Sequence, residues 1–249
     1  MTTVIARNLK SLNKELLSKN LKKKKIGLVP TMGAIHKGHL ALINKSLKSA
    51  EKTIVSIFVN PIQFNSNEDL KNYPSSIEQD IKLLKQKKVD LIFMPKVKDM
   101  YPDDFSTYLN LKKFDDILCG KKRKKHFSGV ATVVLKLFSL IKPQIAFFGE
   151  KDYQQFIIIK KLVKDLNLDI KVVKVKTVRN EKGLALSSRN RLLSQPERDK
   201  ASKIYSILKS LSLKNLKKSL KNLDLVKSKI SALGIKNIEY LEVRDEKFL

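Results

Sequence analysis

Cysteine is nearly absent from this chain: one residue in 249, Cys119. That excludes a disulfide framework and any zinc site built on several thiolates, and it suits a reducing compartment. Histidine is almost as scarce, at three residues. No apolar run approaches the roughly 20 residues of a membrane-spanning helix. Met1 to Lys25 is polar and Lys-rich, without the apolar segment of a signal peptide. The expectation is a soluble cytoplasmic protein with no membrane partner. Acidic residues are outnumbered, 24 Asp and Glu against 52 Lys and Arg, for a formal charge of +28. Such a charge suits polyanions: nucleic acid, a membrane surface or phosphorylated small molecules. Arginine, however, supplies only seven of those cations. Sequence-reading nucleic-acid binders lean on its bidentate fork, and no aromatic stacking platform accompanies the basic runs here. Nucleic acid is therefore not the expected partner. The lysines fall on the spacers between apolar residues, as on solvated helix faces, with a general attraction for phosphate-bearing ligands. Lys121 to Lys125, four Lys and one Arg, reads equally as a solvated loop or an anion site.

With 42% hydrophobic and 31% charged residues, the chain is globular and long enough for one large domain with a small appendage. It contains no internal repeat. Runs rich in β-branched residues, Ile26 to Val29, Thr53 to Val59, Val89 to Met94, Gln144 to Phe148 and Asp169 to Val178, read as strands, most of them buried on both faces. Between them His39 to Ala50, Ile77 to Lys87, Val130 to Leu140 and Gln154 to Leu166 carry apolar residues at helical spacing. The alternation predicts an α/β fold with a Rossmann-like parallel sheet across residues 1–180, and ligands at the carboxyl ends of its strands. Residues 181–249 read as a smaller α+β domain. A polar stretch leads there into helical patterns at Arg198 to Leu211 and Leu213 to Leu233, then a strand-like run at Ile238 to Val243.

The first long strand ends in Pro30-Thr31-Met32-Gly33-Ala34-Ile35-His36-Lys37-Gly38-His39. Two of the three histidines stand three apart where a helix begins, and a helix N-terminus attracts anions. The imidazoles would hold phosphate oxygens without a permanent charge. A metal pair is the competing reading, with His126 and Cys119 as the further soft ligands available; two plain surface histidines are another. The next strand ends in Asn60-Pro61-Ile62-Gln63, whose amides suit a hydroxyl or carboxylate. Gly149-Glu150-Lys151-Asp152-Tyr153-Gln154-Gln155 combines a glycine for close approach, a cation for phosphate and an acid for ribose or metal-bound water. Gly183 to Asn190 adds two hydroxyls and Arg189, able to wrap polyphosphate or to serve as a polar linker.

Together, Val29 to His39, Ser56 to Phe64, His126 to Leu137, Ala146 to Gln155 and Gly183 to Asn190 resemble the pantoate–β-alanine ligases of the nucleotidyltransferase superfamily. His36-Lys37-Gly38-His39 is similar to that superfamily's "HIGH" signature. The resemblance implies condensation of pantoate with β-alanine through a pantoyl adenylate, with ATP as substrate, Mg²⁺, release of pyrophosphate and AMP, and a homodimer whose smaller domain closes over the larger. It implies ATP along Met32, Gly33, Ala34, Ile35, His36, Lys37, Gly38 and His39, with His39 as proton donor. Gly149, Glu150, Lys151 and Asp152 would hold ribose and phosphate, Lys151 on the α-phosphate. Val178 would meet adenine, and Leu186, Ser187, Ser188 and Arg189 the β- and γ-phosphates. Pantoate would lie between Gln63 and Gln155, with Arg123 nearby; Gln63 would also neighbour β-alanine, and Asn60 would support that pocket. An adenylyltransferase acting on another carboxylic acid, or a basic nucleic-acid-binding protein, are the alternatives. Two departures stand out. The family's usual Arg-Pro-Gly-His reads Arg123-Lys124-Lys125-His126 here, and the family continues past the segment resembling Ile238 to Asp245, so the small domain is expected to be shortened at Leu249.

Overall fold

A computed structural model of the protein describes residues 2–18, 21–111, 113–211 and 222–246. Its compact units are Met1–Lys176 and Thr177–Leu249. In the first, β1 (Val4–Ala6), β2 (Ile26–Thr31), β3 (Lys52–Ile57), β4 (Leu91–Phe93), β5 (Ile145–Gly149) and β6 (Lys171–Val175) form one sheet in the order β1-β4-β3-β2-β5-β6. All its pairs are parallel. Among the described residues eight α-helices accompany these strands: α1 (Leu9–Ser18), α2 (Lys37–Ser49), α3 (Asn67–Lys71), α4 (Ile77–Gln86), α5 (Val97–Met100), α6 (Leu118–Lys122), α7 (His126–Ile141) and α8 (Tyr153–Asp165). No helix among the described residues is long and apolar enough to cross a membrane.

Period-two alternation gives the sheet two dry faces. Leu28, Ile54, Leu91, Phe93, Ala146 and Phe148 pack with Leu12 and Leu16 of α1 and with α7 and α8. Val29, Val55, Ile57, Ile92, Ile145 and Phe147 pack on the other face with Leu42 and Ile43 of α2 and Leu84 of α4. Each such side chain contributes roughly 1.5–3 kcal/mol by leaving water. β1 escaped the sequence reading because three residues are too few to show a period. It lies at the sheet edge, with Val4 opposite Leu91.

Strand order reverses between β2 and β5, and there the sheet parts. β2 pairs β3 over its whole length, through Thr31↔Ile57, but pairs β5 only at Gly27↔Ile145 and Leu28↔Ala146. In a parallel strand the polar groups of alternate residues point to alternate sides. The Thr31 carbonyl accepts from Phe58 N beyond β3, whereas the Ile26 carbonyl accepts from Gln144 N beside β5. Pro30 shares the parity of Ile26, so the N–H it lacks is the one that would have continued toward β5. A crevice opens above that point.

β6 runs to Val175, not Val178, because its partner β5 ends at Gly149, opposite Val175. Val178 lies in the second unit, where its carbonyl accepts from Leu186 N and Arg179 bridges Ala185. Gly183, at φ +89°, makes the intervening turn. A 3₁₀ turn at Ser188–Leu192 follows, then α9 (Gln195–Lys209) and α10 (Leu223–Ser231). Ser194 and Glu197 cap α9 reciprocally. Of the helix expected over Leu213 to Leu233, residues 223–231 are helical and 212–221 lie outside the described residues. The strand expected at Ile238 to Val243 does not form. A strand needs a neighbour to complete its hydrogen bonds, and none runs beside it among the described residues.

Lys125, which precedes α7, sits at φ +64° in the left-handed region. This is where the pattern Arg-Pro-Gly-His carries glycine. A side chain there costs about 1–2 kcal/mol, so Lys125→Gly should raise stability by about 1 kcal/mol. A thermal or denaturant melt that moves down, or not at all, would contradict this.

Candidate active site

Pro30, Gly33 and the crevice turn the chain sharply after β2. Gly33 (φ +85°) and Ala34 (φ +49°) are both left-handed, a conformation that alanine holds only when its surroundings fix it. Asp80 of α4 supplies the constraint. Its buried carboxylate accepts from Ala34 N and Ile35 N, each at 2.7 Å, and from the Ser76 hydroxyl at 3.1 Å. Those two N–H groups are thereby committed within the protein. Sequence reasoning missed Asp80. Its signal was an acid four residues before the apolar Leu84, on the same helix face.

The turn delivers His36 and His39 to the start of α2, where they cap one another. His36 Nδ1 accepts from Gly38 N at 3.1 Å, and His39 Nδ1 accepts from His36 N at 3.4 Å. A ring nitrogen that accepts carries no proton, so a neutral imidazole in this arrangement bears its hydrogen on Nε2. The rings stack with centroids 4.1 Å apart and a 31° tilt. Burial, then the neighbouring His36, then the Lys151 cation push the His39 pKa from 6.5 down to about 3. His39 is neutral at any ordinary pH and can donate through Nε2. Lys37 is exposed on the first turn of α2.

Lys151 rises from the 3₁₀ turn Glu150–Asp152 directly after β5, the strand beside β2 at the point where the two part. It pairs with Asp152 at 3.0 Å. Both partners are substantially exposed, so the pair is weak and the cation can be recruited by phosphate. Glu150 faces Lys174 at 3.3 Å. Beside Gly149 a Cβ would meet no atom closer than Lys151 N at 4.0 Å, leaving open space against the backbone. On the first turn of α8, Gln154 is buried and holds the carbonyls of Phe114 and Ile117 and the amide of Cys119. Gln155, within α8, is half-buried, and its side chain makes no hydrogen bond among the described residues.

The turn after β3 places Gln63 beside Met32, with Nε2 donating to the thioether at 3.0 Å. Sulfur is a weak acceptor, so this donor remains available for an oxygen. Asn60 is buried and committed inward, its amide donating to Gln63 Oε1 at 3.0 Å and to the Gly129 carbonyl at 3.1 Å. Gly129 is required there, since a Cβ would stand 2.5 Å from the Ile62 carbonyl oxygen. His126 donates through Nδ1 to the Gln63 carbonyl at 2.8 Å, leaving Nε2 to accept from Arg123 at 3.1 Å. Arg123 and Gln63 are thus tied together through His126. In the second unit Ser187 caps the 3₁₀ turn by accepting from Arg189 N, Ser188 is buried, and Asn190 donates to the Ala185 carbonyl.

Residues 4–249 match the model of the family described as pantoate-beta-alanine ligase. A pantothenate synthetase of Caldicellulosiruptor saccharolyticus is 50% identical over 230 residues, spanning 90% of this chain and 82% of the relative. One from Thermosipho africanus is 45% identical, spanning 97% and 86%. Among solved structures, a pantoate-beta-alanine ligase of Francisella tularensis complexed with beta-gamma ATP and beta-alanine superposes with a TM-score of 0.85 at 42% identity, over 96% of this chain and 90% of that one. The pantothenate synthetase of Thermus thermophilus gives 0.89 at 38% identity, over 99% and 88%. The chain therefore belongs to the pantoate-beta-alanine ligase family.

Proposed function

We propose that the protein condenses pantoate with β-alanine at the expense of ATP. The carrying observation is the convergence, at one crevice, of two imidazoles able to donate through Nε2, the Lys151 cation, and a Gln63 amide whose donor faces only a thioether. First, a pantoate carboxylate oxygen attacks the α-phosphorus and pyrophosphate leaves, giving pantoyl adenylate. Then the amine of β-alanine attacks the acyl carbon, loses a proton and expels AMP. No covalent bond to the protein forms, so the chain contributes position and charge stabilisation.

His36 and His39 would donate Nε2–H to phosphate oxygens, and Lys151 would exchange Asp152 for the α-phosphate. In the free protein His39 is neutral, so it would meet the incoming phosphates as an Nε2–H donor. Gln63 and Gln155 would hold pantoate, with Arg123 beside them and Gln63 extending to β-alanine. Asn60 acts through Gln63, since its own polar atoms are committed. Assignment of Val178 to adenine and of Leu186 to Arg189 to the β- and γ-phosphates rests on the family resemblance, as do the homodimer and the cytoplasmic setting. Mg²⁺ would neutralise phosphate charge. Among the described residues no group of three or more His, Cys, Asp or Glu is gathered to hold a metal, so the ion would arrive with ATP, and Asp152, released as Lys151 turns to phosphate, would be the carboxylate able to meet its water.

Mixing the protein with ATP, pantoate and β-alanine should yield AMP and pantothenate; folded protein without product would refute the assignment. His39→Ala or Lys151→Ala should slow adenylate formation by about 10²–10³-fold while the melt stays cooperative. Gly149→Ala separates binding from folding. The added methyl has room in the free protein, so stability should hold within about 0.5 kcal/mol while KM for ATP rises; an unchanged KM would remove Gly149 from the nucleotide site. For pH, an unfolded His39 takes up a proton near 6.5 that the folded chain refuses until about 3. Acidification through that window therefore favours unfolding. His39→Gln should lose less stability between pH 7 and 5 than the parent, and the parent's kcat/KM should show no inflection owed to His39 there.

A further inference from the structure

We propose that Tyr101, which none of the motif residues includes, is a positioning residue that fixes Gln63 as a hydrogen-bond donor toward substrate. The inference rests on the reading of Gln63 given above. The Gly129 carbonyl can only accept, so the Asn60 atom facing it at 3.1 Å is the amide nitrogen. That nitrogen's second hydrogen meets Gln63 Oε1 at 3.0 Å. Asn60 Oδ1 is left facing the Tyr101 hydroxyl at 2.8 Å, and the hydroxyl must donate. The polarity runs one way from Tyr101 through Asn60 to Gln63. Gln63 Oε1 is thereby held facing Asn60, and Nε2 is turned toward Met32 and the crevice.

Tyr101 is well seated for this. It is buried, its ring packs on Phe105 at 4.9 Å and Phe58 at 6.0 Å, and Lys136 Nζ lies 5.6 Å from the ring centre while donating to the Met100 carbonyl. Burial also pushes the phenol pKa well above its ordinary value, so the donor keeps its proton. A Gln63 held this way recognises an oxygen acceptor, a carboxylate or hydroxyl.

The test is steady-state kinetics on the full chain with Tyr101→Phe, Gln63→Ala, the double variant, and Phe105→Leu, which disturbs the packing around Tyr101 but keeps the hydroxyl. Tyr101→Phe should raise KM for pantoate up to about tenfold, as losing one aligned hydrogen bond implies, with KM for ATP within about twofold. Added to Gln63→Ala it should change nothing further, because its effect travels through Gln63. Phe105→Leu should lower the melting temperature without moving KM for pantoate. An unchanged pantoate KM in Tyr101→Phe, additive effects in the double variant, or an equal rise in Phe105→Leu would each overturn the relay. If Gln63→Ala itself leaves KM for pantoate unchanged, the reading of Gln63 fails and the relay with it.

Discussion

The site depends on one hydrogen bond that the chain cannot make. In the middle of a parallel sheet every N–H has a partner strand waiting. Pro30 has no N–H, and its parity in β2 turns the missing donor toward β5. The two strands part where the strand order reverses, which is where open α/β sheets hold ligands. The pairing of β2 with β3 continues undisturbed to Thr31. The crevice is therefore one-sided, walled by the turn after β2 and by the Glu150–Asp152 turn after β5. The buried faces below are packed on both sides and cannot relax to close it.

What lines the crevice is shaped by the cost of charge. Two imidazolium rings 4.1 Å apart would repel by about 4 kcal/mol at an effective dielectric near 20, before any penalty for burial. His39 answers by staying neutral. Each ring also accepts a backbone N–H through Nδ1, so the hydrogen bonds that start α2 are the ones that turn both Nε2 atoms away from it. In the proposed site, helix capping and ligand presentation are the same interaction. Asp80 does the corresponding work one turn earlier. It absorbs two backbone donors and holds Ala34 left-handed, so the anion-facing groups of the turn are side chains.

This division explains what could be read from the sequence. β2 to β6, the helices α2, α4, α7 and α8 and the strand-end clusters were legible because burial on two faces forces continuous apolar runs, and turns after strands force Pro, Gly and Asn; α1, in the Lys-rich N-terminal stretch, was not. Asp80 and Tyr101 were not legible as site residues, because each acts from outside the strand-end motifs. Their partners, Ala34 and Asn60, lie 46 and 41 positions away, and only the fold brings them together. The run Ile238 to Val243 misled because β-propensity describes a surface that pairing can use, and pairing needs a second strand. Lys125 shows the opposite case: a left-handed position filled by a residue that resists it, held because α7 must start there for His126 and Gly129 to reach the Asn60–Gln63 turn.

The +28 charge finds its place in the same terms. Most of the lysines lie on solvated surface, and the ion pairs described are mostly between exposed partners that contribute little. In the first unit the anion-handling set proposed above comprises Lys151 and Arg123 with donors from His36, His39 and Gln63. A diffuse positive field draws in every polyanion alike and is screened over about 8–10 Å of physiological salt. Neutral donors fixed by backbone contacts act only at hydrogen-bond distance. On the proposed assignment, selection among anions therefore comes from the fixed donors: the long-range charge raises encounter, and the crevice decides what is held.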